Sequence, residues 1–259
     1  MFGITSEDVT AWVAGIASEV TFWDTWVETK GGDWADDFNR RIDPNPEFTI
    51  PDALPYANGS VLRLLDAGAG LISGVGTKHP TVKVELHACD PLAPFYTEIL
   101  NKHGVRPYVA TEFAFVEDLT SRYAKDYFDV AHVRNALDHS FAPLSGIHQL
   151  VSVTKLGGAV LLSHYENEAE FGGYSGLHQW NFTERNGRFI IWNKNHNIDV
   201  GQVLANYADV TTTRVTHPHR DFILAKIVKR NQPEVVNTFK NVFDEALLRM
   251  LAAQTGVKI

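Results

Sequence analysis

Apolar and polar positions divide this chain into three zones. In the first, Trp12, Val13, Ile16, Val20, Phe22, Trp23, Trp26 and Val27 recur at helical spacing behind Ser6, which can cap. A helix over 5–30 is predicted, broken by Gly31 and Gly32. Residues 33–57 lose the periodicity. Pro44, Pro46, Pro51 and Pro55 forbid a long helix there, so the segment reads as a connector folded over the core.

From residue 59 short apolar runs alternate with helical stretches. Val61–Leu65 reads as a buried parallel strand ended by Asp66, and Val82–Cys89 as a second closed by Asp90. Pro91 opens a helix that runs to His103 and stops at Gly104. Val105–Val109 reads as strand three and Phe128–Val133 as strand four. Pro143–Lys155 follows as a helix, then Ala159–Ser163 as strand five. A long excursion, 164–187, precedes an extra strand at Phe189–Trp192 and a helix at Val200–Tyr207. Val210–Val215 and Asp221–Lys229 form an antiparallel pair around His217, Pro218 and His219. Val236, Phe239, Val242, Phe243, Ala246, Leu247 and Met250 predict a last helix over 233–253.

The expected architecture is therefore α/β: a doubly wound, Rossmann-like seven-stranded sheet with a helical N-terminal cap and a C-terminal helix. Its units are a cap and connector (1–58), a cofactor-binding domain (59–230) and a terminal helix (231–259).

The chemistry concentrates at strand ends. Gly68 and Gly70 let the backbone turn sharply and approach a ligand. Asp90 stands where a doubly wound sheet places a carboxylate that binds two ribose hydroxyls, which implies an adenosine-containing cofactor. A dinucleotide fingerprint needs a third glycine, and here that position is Ser73. Asp66, two residues before the first glycine, repels a pyrophosphate and suits a cationic ligand instead.

These residues resemble class I S-adenosylmethionine-dependent methyltransferases. Leu65 to Gly70, with Asp66, Ala67, Gly68 and Gly70, resembles their first motif, and Asp90, followed by Pro91 and Leu92, their second-strand acid. Val116, Glu117 and Asp118 resemble the loop that touches adenine. Phe128-Asp129-Val130 resembles the fourth-strand motif and Leu156-Gly157-Gly158-Ala159 the turn before strand five. The resemblance covers roughly residues 55–230, motifs in order, and implies S-adenosyl-L-methionine as cofactor, with Arg134 and Asn135 beside it. The stretch Leu71–Pro80 departs from it, being short for the family's long first helix.

For an alcohol acceptor a general base is needed, and histidine suits neutral pH. His139, preceded by Asp138 after strand four, and His164 after strand five are the candidates. The 164–187 excursion is the expected source of substrate specificity. Tyr165, Tyr174 and Trp180 can stack on sugar faces, while Glu166, Asn167, His178, Gln179 and Asn181 can bond hydroxyls. The string Gly176 to Phe182 resembles a signature of uncharacterised methyltransferases of this class, some expected in surface-glycan loci, which implies a small-molecule or carbohydrate acceptor, methylated at oxygen.

Composition narrows the alternatives. The formal net charge of −8 argues against nucleic acid, which usually demands a basic groove. No apolar run approaches the ~20 residues that cross a bilayer, so no membrane partner is expected. A single cysteine, Cys89, rules out an internal disulfide and fits a reduced, cytoplasmic enzyme. Eleven histidines and the acidic loop invite a metal, with His164, Glu166, Glu168 and His178 as one mixed ligand set and His217 with His219 as another pair, but no cysteine–histidine or H-E-x-x-H spacing exists, and none is expected. The surplus aromatics of the first and last helices point to a homodimer. An NAD(P)-dependent oxidoreductase and a catalytically inactive cofactor-binding protein are the competing functions.

Overall fold

A computed structural model describes residues 6–234 and 242–244. The first helix, α1 (Ser6–Glu28), ends at Gly31, whose φ of 92° is open to glycine, and leads through a 3₁₀ turn into α2 (Ala35–Ile42). The predicted connector thus holds a two-turn helix. Prolines start only at position 44, so nothing prevents it, and Asp37 pairs with Arg40 and Arg41 on a half-buried side, where both arginines also donate to the carbonyls of Gly74 and Ile72.

The sheet strands are β1 (Val61–Ala67), β2 (Lys83–Asp90), β3 (Thr111–Phe113), β4 (Phe128–Arg134), β5 (Thr154–Tyr165), then β9 (Ala208–Val215) and β10 (Phe222–Lys229). Between β5 and β9 lie β6 (Asn181–Arg185), β7 (Arg188–Trp192) and β8 (Asn197–Asp199). Helices α3 (Ala93–His103) and α4 (Pro143–Val153) flank the sheet, and α5 (Glu168–Phe171) and α6 (Val200–Val203) are single turns. The seven strands run β3-β2-β1-β4-β5-β10-β9, with β10 antiparallel to both neighbours and the first five parallel. The order reverses between β1 and β4, so the crevice for a ligand opens at their carboxyl ends. Central β4 is buried through six of its seven residues, as a strand covered on both faces must be.

Four elements differ from expectation, the first being the helix predicted over Val200–Tyr207, which is the single turn α6, Val200–Val203. Strand three falls at 111–113, later than 105–109, because its register is set by Asp90 facing Phe113 rather than by local apolarity. Helix α3 begins at Ala93, with Pro94 rather than Pro91 in its first turn. The end of the 164–187 excursion and the chain after it build a second antiparallel sheet, β6-β7-β8, of which β7 alone was foreseen, and Phe182, Phe189 and Ile191 join the main core. The predicted last helix lies outside the described residues except for 242–244, where Phe243 meets Phe115 with ring centroids 5.1 Å apart. Among the described residues no helix is long and apolar enough to cross a membrane.

Candidate active site

The β1 end is built for a tight turn. Gly68 (φ 69°) has no room for a side chain: a Cβ would stand 2.3 Å from that of Ala136. Gly70 (φ 65°) lies under the indole of Trp23, which would be 2.9 Å from a Cβ. The turn is tied to β2, since the Asp90 carboxylate accepts the Gly70 N–H at 3.1 Å and the Leu92 N–H at 2.8 Å. Burial pushes the Asp90 carboxyl up to about 6, against the pull of those two N–H groups. Each oxygen still has a lone pair for a further donor. Ala67, Leu92 and Phe115, from the strand ends and loops of this edge, are buried.

No helix follows the glycine turn: from Gly68 to β2 the chain is irregular. Asp66 anchors it. Its carboxylate accepts from Ser73 Oγ at 2.6 Å and lies 2.8 Å from His132 Nδ1, which the parallel register brings directly opposite. Asp66 is buried with one internal partner on each oxygen, so the carboxylate ties the end of β1 to Ser73 and His132. In place of the missing helix, α1 crosses the edge of the sheet. Trp23 covers Gly70, Trp12 packs on Phe115 and Phe141, and Gly15 lets α1 touch Gly176 and Leu177 of the insertion. Glu19, which accepts the Trp23 indole N–H at 2.7 Å, reaches to 3.9 Å from His139. Sequence reasoning missed Glu19 and Trp23. The shortness of Leu71–Pro80 was the available signal that the edge needed another cover.

The adenine-type loop, Val116–Ser121, is a 3₁₀ turn. Glu117 is buried, its carboxylate accepts the Ala142 N–H at 3.3 Å, and burial raises it to about 7. Val116 and Asp118 are half-buried. At the β4 end Arg134 is exposed, while Asn135, at φ 47°, accepts the Tyr165 N–H at 3.0 Å. Asn135 therefore joins β4 to β5, and its role as a cofactor contact is reduced to its NH₂ group.

Just beyond stands a cluster. Asp138 and His139 occupy a 3₁₀ turn, Leu137–His139, and His178 descends from the insertion, locked there by the Gln179 N–H on the Asp138 carbonyl at 3.1 Å. His178 Nδ1 is 2.8 Å from Asp138 Oδ2 and 3.1 Å from His139 Nε2. Burial alone raises the Asp138 carboxyl, but the charge of His139 and the hydrogen bond from His178 outweigh it and hold it at about 2. Burial lowers His178, and the same Asp138 bond outweighs that and leaves it raised.

His164 is elsewhere. It is 1% exposed, stacked 4.3 Å from Phe182, and burial depresses it to about 4. As an accessible base it is corrected to a residue beneath the site. Most of the proposed acceptor contacts are likewise internal stitching. Glu166 binds Thr183 and Arg214, Asn167 accepts the Trp192 indole N–H, and Asn181 bonds Tyr174 and the Glu170 N–H. Trp180 is buried against His196, and Tyr165 sits under Arg220. A long loop must bury its own polar groups in bonds before it can offer any outward. Of that set, His178 and Gln179 are joined to the turn after β4, both through Asp138.

No protein-family model matches the chain, and no curated protein matches it. Solved structures do. The citrinin polyketide synthase CMeT domain is 16% identical with a TM-score of 0.47, covering 68% of this chain and 48% of its own, so this chain spans about half of it. The Burkholderia thailandensis 1,6-didemethyltoxoflavin-N1-methyltransferase, with bound 1,6-didemethyltoxoflavin and S-adenosylhomocysteine, is 15% identical at 0.44, covering 83% and 89%. The [4+2]-cyclase SpnF is 11% identical at 0.42, covering 70% and 79%. The strand order, with its reversed β10, is that of the doubly wound, Rossmann-like seven-stranded sheet expected from the sequence.

Proposed function

We propose that the chain is an S-adenosylmethionine-dependent methyltransferase acting at an oxygen of a small, hydroxylated acceptor such as a sugar. The carrying observation is Asp90, at the carboxyl end of β2, holding the positive-φ Gly70 turn with lone pairs left over. Asp90 would hold the ribose hydroxyls, Phe115 and Val116 would flank the adenine, and the Gly68–Gly70 backbone would allow close approach. When bound, the cofactor supplies an electrophilic methyl group on a sulfonium. This chain aligns the acceptor with it and receives the acceptor's proton at the Asp138–His139–His178 cluster, the group of ionisable side chains at the same edge. Helix α1 excludes water by lying across the glycine turn.

A nicotinamide dinucleotide fits less well. Its pyrophosphate uses a helix N-terminus after the glycine turn, and here the turn continues as irregular chain with Ser73 tied to Asp66. The protein is further proposed to pair with a second copy through α1, where Phe22 and Trp34 are exposed beside a hollow lined by Ser18, Thr25 and Thr29. Formation of S-adenosylhomocysteine is followed across a panel of sugars and small alcohols. An acceptor-dependent signal that falls about 10²–10⁴-fold in His139→Ala and His178→Ala supports the reading. No acceptor-dependent release above background with any oxygen acceptor, or an unchanged rate in both variants, refutes it.

A further inference from the structure

The cluster at the edge of the sheet contains a contact that hydrogen bonding does not satisfy. His178 Nδ1 faces two atoms at once, Asp138 Oδ2 at 2.8 Å and His139 Nε2 at 3.1 Å. Imidazole Nδ1 carries one proton or one lone pair. With a proton it can at most be split between two acceptors. Without one, it turns a lone pair on a carboxylate held ionised. The third side of the triangle, His139 Nε2 to Asp138 Oδ2, is 3.4 Å. Ligands bound ~2.0–2.1 Å from one ion, at angles between square and tetrahedral, lie about 2.8–3.4 Å from one another. The three donors have that spacing.

We propose that Asp138, His139 and His178 bind a divalent transition-metal ion. Two imidazoles and one carboxylate suit zinc(II) or iron(II), and three protein ligands leave positions open for an acceptor. The outward side is His178, whose side chain is 34% exposed, while that of Asp138 is 3% exposed.

The surroundings are those of a ligand set. Metal-bound histidines and carboxylates are oriented by partners on their outer atoms. Glu19 Oε1 faces His139 Nδ1, the nitrogen pointing away from the triangle, at 3.9 Å. His164, almost wholly buried, has no hydrogen-bond partner on either ring nitrogen among the described residues, and its Nδ1 faces the other oxygen of Asp138 at 4.0 Å. A buried imidazole without partners is costly, and its aim at the outer oxygen of a ligand carboxylate gives it a purpose. The backbone bond from Gln179 to Asp138 fixes the insertion against the turn, so the triangle is preformed. The proposal rests on the methyl-transfer reading and replaces one part of it: a Lewis acid here would acidify the acceptor hydroxyl so that its proton leaves to solvent, instead of passing to the three side chains that would then be ligands.

The test uses the full chain stripped by chelator and titrated with cobalt(II), whose visible absorption reports coordination, followed by zinc(II). One cobalt per chain, displaced by zinc, is expected. His139→Ala and His178→Ala should each weaken binding more than about 100-fold and Glu19→Gln roughly 10-fold. His217→Ala, in the exposed turn that also carries His219, should leave it unchanged. Near-UV circular dichroism checks the fold, and His178→Gln at the half-exposed position carries the test where His139→Ala unfolds. Absence of saturable binding at tens of micromolar, or binding that survives loss of His178, overturns the proposal. Calorimetry with S-adenosylhomocysteine on the same samples separates the two claims, since a chain that binds it without metal loses only this inference, and one that binds metal alone loses only the methyl-transfer reading.

Discussion

Replacing Asp90 tests the cofactor site where its chemistry is most explicit. The carboxylate accepts two backbone N–H groups and has two lone pairs left for ribose hydroxyls. Hydrogen bonds to a charged group are worth roughly 1.5–3 kcal/mol each, so Asp90→Ala should cost about 3–6 kcal/mol of cofactor binding, or about 10²–10⁴ in Kd. Titration calorimetry with S-adenosylhomocysteine reads this directly. The substitution also frees the Gly70 and Leu92 N–H groups, so Asp90→Asn, which keeps the shape, is measured alongside, with near-UV circular dichroism as the check on folding.

A second signature follows from the carboxyl's displacement to about 6. Hydroxyl donors favour the ionised form. Affinity should therefore be full above pH 6 and fall as pH drops through it, by up to about tenfold per pH unit, and the dependence should vanish in Asp90→Asn. An unchanged Kd in folded Asp90→Ala, or a Kd indifferent to pH between 5 and 7, would refute the assignment.

Glu117→Gln should be more stable than the parent at pH 8 by about 3 kcal/mol at most. The folded carboxyl is raised to about 7, so its contribution is fully present below the unfolded value and lost as pH rises through 7; urea unfolding at pH 5 and 8 measures the difference, and equal curves count against it. Gly70→Ala should cost roughly 1–2 kcal/mol from its left-handed backbone, plus a clash with Trp23 that a Trp23→Ala background relieves. Additive effects in that double-mutant cycle would mean that α1 does not lie on the turn. Light scattering at micromolar concentration should give twice the 28.9 kDa chain mass, and Trp34→Ala should halve it; a parent mass of one chain leaves α1 as a cap alone.

The parallel strands and the turn at Gly68–Gly70 were legible because buried runs, strand-end acids and glycines encode them locally. Strand β3 was not, because three residues of edge strand are chosen by pairing with Cys89 and Asp90 rather than by their own pattern. The second sheet was half legible: Phe189 to Trp192 is apolar, but Asn181 and Thr183 on its partner strand are polar residues buried by bonds that no periodicity announces. The site divides in the same way. Asp90, Asp138 and His139 follow strand ends, where the topology of the sheet points. His178 was legible as a polar loop residue but not as a neighbour of Asp138, since their meeting across 40 residues depends on how the insertion folds. Asp66 showed its charge in the sequence but not its partners Ser73 and His132, which only the fold brings to it.

The central claim is tested most directly by calorimetric titration of the unmodified chain with S-adenosylhomocysteine and, separately, with NAD⁺. The account predicts saturable one-to-one binding of S-adenosylhomocysteine and no heat of binding with NAD⁺. Saturable binding of NAD⁺ with none of S-adenosylhomocysteine would contradict it.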